Sequence, residues 1–326
     1  MVSKTKFELD DRTIKTLFSA AGLEPVTAIA PLGAGEFAAV YAVTANGVAY
    51  VLKVAPAQDA PTLIYEKGMM AAEVFWYEQM RVHTSIRVPK VYFQDFSKTR
   101  IPTDYFIMER LPGKTLDQMN FTTAQKKQAA GEMAKMAAAL HKIKNDQFGY
   151  IQNQLYGNWY LAIRASFEKL LCDCEKKGKR SKRGEKMLKL IDNYQAVLEK
   201  AECCMVNFDI HGANIMCYEG TGGYQYAWID PERSFWGDRI ADFVCLEMTT
   251  PLAGKKTSLA AYNAAADRPV LVTQEEKIRY AVALAYMGMI METEKYYRYT
   301  PHHFGWWRNV AASALFFRSA FGELDK

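Results

Sequence analysis

The sequence predicts an α+β protein in two unequal parts, a small β-rich lobe followed by a larger, mainly helical one. Three observations carry that prediction. The first third holds short apolar runs arranged around the turn signal Asn46-Gly47. Beyond Leu111-Pro112-Gly113 the apolar positions recur at helical spacing instead. The composition is globular: of 326 residues, 50% are hydrophobic, 24% charged and 13% aromatic, which is ample material for burial. The length is about twice the ~150-residue prior for one domain, in keeping with two lobes.

The elements follow in order. Strands are expected over residues 26–31, 38–43 and 48–54, with Gly33 and Gly35 between the first two. A helix is expected over 63–82, with Met69, Val74, Phe75, Tyr77 and Met80 as its apolar positions. Strands over 88–93 and 105–108 complete the small lobe, and the Pro-Gly turn ends it. A long helix over 122–143 opens the second lobe, with Thr122 or Thr123 as its N-cap. Helices over 160–176 and 185–202 flank a basic run at 176–186, which reads as a solvated helix–helix connection. Short strands return over 205–209, 215–218 and 226–229, and helices dominate from there to the end. The expected division is therefore a lobe of residues 1–110 and a lobe of residues 111–326.

Several function classes are disfavoured. With 41 basic and 36 acidic residues the formal charge is +5, too mild to suggest a nucleic-acid partner. The N-terminus is charged throughout, and the longest apolar run, 281–290, falls short of the ~20 residues that span a bilayer. No membrane partner is expected, and a cytoplasmic location is. Cys172, Cys174, Cys203, Cys204, Cys217 and Cys245 form no CxxC pair, so free thiols are expected rather than zinc ligands or disulfides.

The chemistry concentrates in Val206-Asn207-Phe208-Asp209-Ile210-His211-Gly212-Ala213-Asn214 and in Trp228-Ile229-Asp230-Pro231-Glu232. Asp209 leaves an apolar run into a loop, Asn214 closes that loop, and a second short hairpin delivers Asp230. Carboxylate and amide oxygens are hard ligands suited to Mg²⁺. An acid without a metal role can accept a proton from a substrate hydroxyl.

On these residues the sequence resembles the aminoglycoside phosphotransferase and choline kinase relatives, small-molecule kinases of the protein-kinase-like fold. The first segment is similar to their HGDxxxxN motif and Ile229-Asp230-Pro231-Glu232 to their metal-binding Asp segment. The resemblance continues in the right order. Leu32-Gly33-Ala34-Gly35-Glu36-Phe37-Ala38 stands where the family has its nucleotide-covering turn, and Val51-Leu52-Lys53-Val54 where it has its lysine strand. Glu73 falls on the following helix, Met108-Glu109-Arg110-Leu111 resembles the linker between lobes, and Gly237-Asp238-Arg239-Ile240-Ala241-Asp242 resembles the GDPxxDL segment.

The resemblance implies a two-lobed protein-kinase-like fold and an ATP- or GTP-dependent phosphotransferase acting on a small-molecule hydroxyl. Asp209 would be the catalytic residue, and Asn214 and Asp230 would hold Mg²⁺. Gly33 and Gly35 would cover the nucleotide, Lys53 would bind its phosphates, kept in place by an ion pair with Glu73, and the backbone of Met108 and Glu109 would meet the base. Asp238 and Asp242 would be structural, capping a helix and pinning the catalytic loop. The family's His-Gly before the catalytic Asp is Asn207-Phe208 here, which leaves a catalytically inactive nucleotide-binding homologue as an alternative. An aminoglycoside or related antibiotic heads the acceptors, with choline, ethanolamine and sugars as rivals. A polycationic acceptor wants acidic groups, for which Asp242, Glu247, Glu292 and Glu294 are candidates. Aromatic groups at Trp159/Tyr160, Tyr296/Tyr297/Tyr299 and Trp306/Trp307 could wall the acceptor site or pack the helices.

Overall fold

A computed structural model describes residues 6–33, 37–248 and 250–324. The fold is α+β, with a small antiparallel sheet lobe leading into a helical part. Helix α1, Asp11–Ala20, comes first and was not expected. Asp10 caps it by accepting from the Thr13 N–H at 2.7 Å, and Ile14, Leu17 and Phe18 form its buried stripe. Then come β1 (Val26–Pro31), β2 (Ala39–Ala45) and β3 (Val48–Val54). Asn46 and Gly47 turn β2 into β3 with φ of 48° and 74°, the left-handed pair that matches the twist of a two-residue hairpin.

Helix α2 (Met69–His83) crosses to β4 (Val91–Asp95) and β5 (Tyr105–Glu109), giving the sheet order β1-β2-β3-β5-β4. Each central strand is buried on both faces. Leu52, Val54, Tyr105 and Ile107 pack with α1, whereas Val51, Phe106 and Met108 join Trp76, Tyr77 and Met80 of α2 on the side of the cleft. The strand expected from residue 88 starts only at Val91.

The helical part opens with β6 (Lys114–Thr115) and α3 (Thr123–Leu140). Thr122 is the α3 cap, in a reciprocal box with Gln125. Next are α4 (Trp159–Lys176), α5 (Lys182–Asn193), the single turn α6 (Gln195–Leu198) and β7 (Cys203–Val206). The hairpin of β8 (Ile215–Gly220) and β9 (Gly223–Trp228) pairs with β6, and β10 (Phe235–Asp238) pairs with β7. Helices α7 (Lys256–Ala265), α8 (Gln274–Arg298) and α9 (Phe304–Leu324) complete the chain. The apolar run 281–290 is the buried centre of α8, and no helix of the described residues is long and apolar enough to cross a membrane. All six cysteines are free thiols.

Two expectations need correction. The helix predicted over 185–202 is two: it starts at Lys182, capped by Ser181, and breaks at Tyr194, whose φ of −101° and ψ of 17° leave helical geometry. The basic run is also more than a solvated connection. Lys177 lies 4.4 Å over the Tyr297 ring, Lys186 4.3 Å over Phe321, and Arg183 joins Glu292 at 3.0 Å. The long stems cover apolar surface while the cations sit on ring faces.

Candidate active site

A cleft of about 420 Å³ opens between the sheet and the β8–β9 hairpin, and Gly33, Lys53, Glu73, Met108, Glu109 and Asp230 all line it. Gly35 lies outside the described residues. Alternation along β3 aims Lys53 at the cleft between Leu52 and Val54, which face α1. The Glu109 carboxylate is engaged at the end of β5, by Arg87 and by the Lys90 N–H at 3.2 Å.

Lys53 is the hub. Its Nζ lies 2.7 Å from Glu73, 2.6 Å from Asp230 and 3.1 Å from Glu232. Burial alone would push this ammonium down, but the three carboxylates outweigh burial and keep it firmly protonated. Glu73 is pushed up to about 8 by burial, against the pull of Lys53, and the charges of Asp230 and Glu232 add to the rise. Glu232 is raised to about 7 by burial and by Asp230. One ammonium thus serves three carboxylates, and the second Glu73 oxygen is buried without a hydrogen-bond partner. That surplus of hard oxygen, whose crowding raises Glu73 and Glu232, fits a further cation such as Mg²⁺. Asp230, 39% exposed at the cleft, is placed to offer it an oxygen. Asn214 is its neighbour, since the Asn214 carbonyl accepts the Ile229 N–H at 2.9 Å.

The catalytic-loop candidates form the adjoining rim. The strand expected to reach Asp209 stops at Val206, because Phe208 takes φ of 60° and turns the chain out of the ladder. Asp242 holds that turn from beneath. Its carboxylate, fully buried, accepts the N–H groups of Asn207 at 3.3 Å and Phe208 at 2.6 Å and faces His141 Nε2 at 2.9 Å. Asn207, also fully buried, uses Oδ1 to accept the Asp209 N–H at 3.0 Å and Nδ2 to reach Ser234 at 3.4 Å. Asp230 has φ of 60° as well, and its N–H donates to the Tyr77 hydroxyl at 2.8 Å. Asp238 caps the following turn through the Ile240 N–H.

Asp209 itself accepts from Asn214 Nδ2 at 3.1 Å, meets His211 Nε2 at 3.3 Å and lies 3.9 Å from Arg233. Burial pushes its carboxyl up, but the Arg233 charge and the contacts with His211 and Asn214 outweigh burial and hold it below the usual aspartate value. An ionised carboxylate at the rim of this cleft can orient a hydroxyl and take its proton.

Sequence reasoning missed Glu232 and Arg233 as parts of the site, although both lie within three residues of Asp230. The proposed acidic pocket also needs correction, because each candidate is engaged. Asp242 holds the turn at Asn207 and Phe208, and Glu247 accepts from the Ser258 N–H at 2.8 Å. Glu292 pairs with Arg183, and Glu294 with Arg233 at 2.7 Å and Arg298 at 3.3 Å. The aromatic groups have varied partners, and several pack the helical part, whereas Trp307 is exposed. Trp159 is stacked on Phe235 at 5.6 Å, and Tyr296 meets Trp306 edge-on at 5.4 Å.

A family model described as the phosphotransferase enzyme family matches residues 28–275. Among solved structures, the chain is similar to a provisionally assigned fructosamine-3-kinase of Haemophilus somnus 129PT, at 14% identity and a TM-score of 0.66, covering 96% of each chain. It is similar to the ADP-bound aminoglycoside phosphotransferase APH(2'')-Ib, at 17% identity and a TM-score of 0.59, covering 95% of this chain and 98% of that one. A microcompartment-associated aminopropanol kinase shares 15% identity with a TM-score of 0.58, over 96% of this chain and 98% of that one. Among curated proteins compared by sequence, none matches.

Proposed function

This chain belongs to the phosphotransferase enzyme family, and from that premise we propose that it transfers the γ-phosphoryl group of ATP or GTP to a hydroxyl of a small molecule. The observation that carries the reading is the joining of two loops: Asp209 stands on one, Asp230 on the other, and Lys53 reaches the second from the sheet. In this reading residues 1–110 hold the nucleotide and residues 111–326 supply catalysis and the acceptor site. Lys53, steadied by Glu73, binds phosphate oxygens, with Gly33 in the covering turn and the main chain of Met108 and Glu109 at the base. Mg²⁺ held by Asp230 and Asn214 would neutralise phosphate charge. Asp209 aligns the acceptor hydroxyl and takes its proton, while the buried bonds of Asp242 and Asn207 keep that carboxylate in place.

The acceptor reading shifts with the structure. A polycationic aminoglycoside needs free carboxylates to meet it, and Asp242, Glu247, Glu292 and Glu294 are all engaged. A hydroxyl compound with at most one amino group, such as a sugar derivative or an amino alcohol, fits this charge pattern better. The test is nucleotide consumption by purified protein over a panel of aminoglycosides, amino alcohols and glycated amines. Asp209→Ala should abolish transfer while nucleotide affinity stays nearly intact, and full turnover in that variant overturns the reading.

A further inference from the structure

The charged group nearest Asp209 on the helical side is a guanidinium that does not bond to it. Arg233 Nε stands 3.9 Å from the Asp209 carboxylate, beyond hydrogen-bond distance. Its Nη2 instead donates to Glu294 of α8 at 2.7 Å, with side chains only 11% and 4% exposed. Glu294 in turn meets Arg298 at 3.3 Å, and Arg298 pairs with Glu66 in the connector between β3 and α2. Charges therefore alternate from the catalytic loop through α8 to the small lobe. The Arg298 guanidinium also lies 5.4 Å from the Phe37 ring, beside the nucleotide-covering turn.

A buried guanidinium with five donors beside a partly buried carboxylate closes into a bidentate pair unless a better-placed acceptor holds it. Such a pair would engage the Asp209 oxygens that Asn214 and His211 touch at 3.1 and 3.3 Å, leaving no lone pair for a hydroxyl. We propose that Glu294 is a positioning residue for phosphoryl transfer: it anchors the Arg233 guanidinium and holds it off Asp209, which keeps that carboxylate open to the acceptor. The proposal rests on the reading of Asp209 given above. It gives Glu294, a residue the sequence suggested for an acidic pocket, a role that acts through Arg233.

Glu294→Gln keeps the shape and removes the charge, so the guanidinium turns toward Asp209. The expected result is a fall in kcat of roughly tenfold to a hundredfold, the scale of a misplaced catalytic group. The KM for nucleotide should stay within about twofold, because Lys53 and its carboxylates are untouched. Glu294→Asp, one methylene shorter, should show a smaller fall in the same direction. The double variant Arg233→Met/Glu294→Gln should behave as Arg233→Met alone, since no guanidinium remains to be held off. A folded Glu294→Gln protein with unchanged kcat overturns the proposal, as does a double variant whose losses multiply. If Glu294→Gln does not fold, unchanged kcat in Glu294→Asp overturns it equally. Turnover surviving in Asp209→Ala would instead remove the reading of Asp209, so the two failures are told apart.

Discussion

Replacing Phe208 by Gly and by Ala separates two effects that act on one residue. The ring is fully buried, with centroids 5.3 Å from Phe235 and 5.5 Å from Tyr286. Deleting such a ring costs about 3–5 kcal/mol in transfer and cavity terms. The backbone at φ of 60° works the other way. A left-handed residue with a Cβ costs roughly 1–2 kcal/mol, which Gly escapes and Ala does not. The greater freedom of Gly in the unfolded chain returns about 0.4–1 kcal/mol of that gain. Phe208→Ala should therefore lose about 3–5 kcal/mol, and Phe208→Gly several tenths to about 1 kcal/mol less. The order reverses that of an ordinary strand or helix, where Ala beats Gly by about 0.5–1 kcal/mol. Urea unfolding followed by tryptophan fluorescence measures it. An Ala variant as stable as the Gly variant would refute the left-handed assignment. A Gly variant as stable as wild type would refute the contribution of the ring.

Three further outcomes are expected. Asp230→Ala should lose Mg²⁺-dependent nucleotide binding in calorimetric titrations with and without the metal, and unchanged metal dependence counts against its role. Thr273→Ala removes the capping box of α8 and should cost about 1 kcal/mol in urea unfolding, so a change near zero would show that burial alone holds that helix. The Asp209 carboxyl, held below its usual value, keeps its charge until pH drops beneath the unfolded value of about 3.9, and the stability it contributes is lost only below that. Burial lowers the His211 imidazole, but its bond to Asp209 and the carboxylate charge raise it overall; its contribution is full below about pH 6.5 and fades as pH rises through the folded value. A pH-dependent loss of stability near neutrality should thus shrink in His211→Asn, the remainder belonging to Glu73 and Glu232, whose raised carboxyls also lose stability as pH rises, while any limb belonging to Asp209 stays far more acidic.

Local order was readable, and distant pairing was readable only where motif order supplied it, as for Lys53 and Glu73. The three strands around Asn46-Gly47 follow from short β-rich apolar runs and a turn dipeptide, signals that lie within a few residues. A cap at Thr122 or Thr123 was readable from residue type, and the box with Gln125 settles it at Thr122. Helix α1 escaped notice because charged residues surround its three apolar positions, and β10 because Phe235–Asp238 lies in a polar, glycine-containing stretch. At the site, Lys53, Asp209 and Asp230 stood out through motif order. Glu294 could not, since its partner Arg233 is distant in sequence and no spacing rule joins them. Nor could the seating of Lys186 on Phe321, which needs α5 and α9 to meet.

The two-sided burial of β3 has a mechanical meaning. Lys53 points to the cleft while its neighbours Leu52 and Val54 rest on Ile14, Leu17 and Phe18 of α1. The outermost helix therefore works like a shim behind a bearing: its thickness sets how far the ammonium projects toward Glu73 and Asp230. Trimming Ile14 or Leu17 touches no residue of the cleft, yet it moves the seat on which the lysine strand lies. The small lobe is in this sense adjustable from its back, where sequence can change without altering any group that lines the cleft.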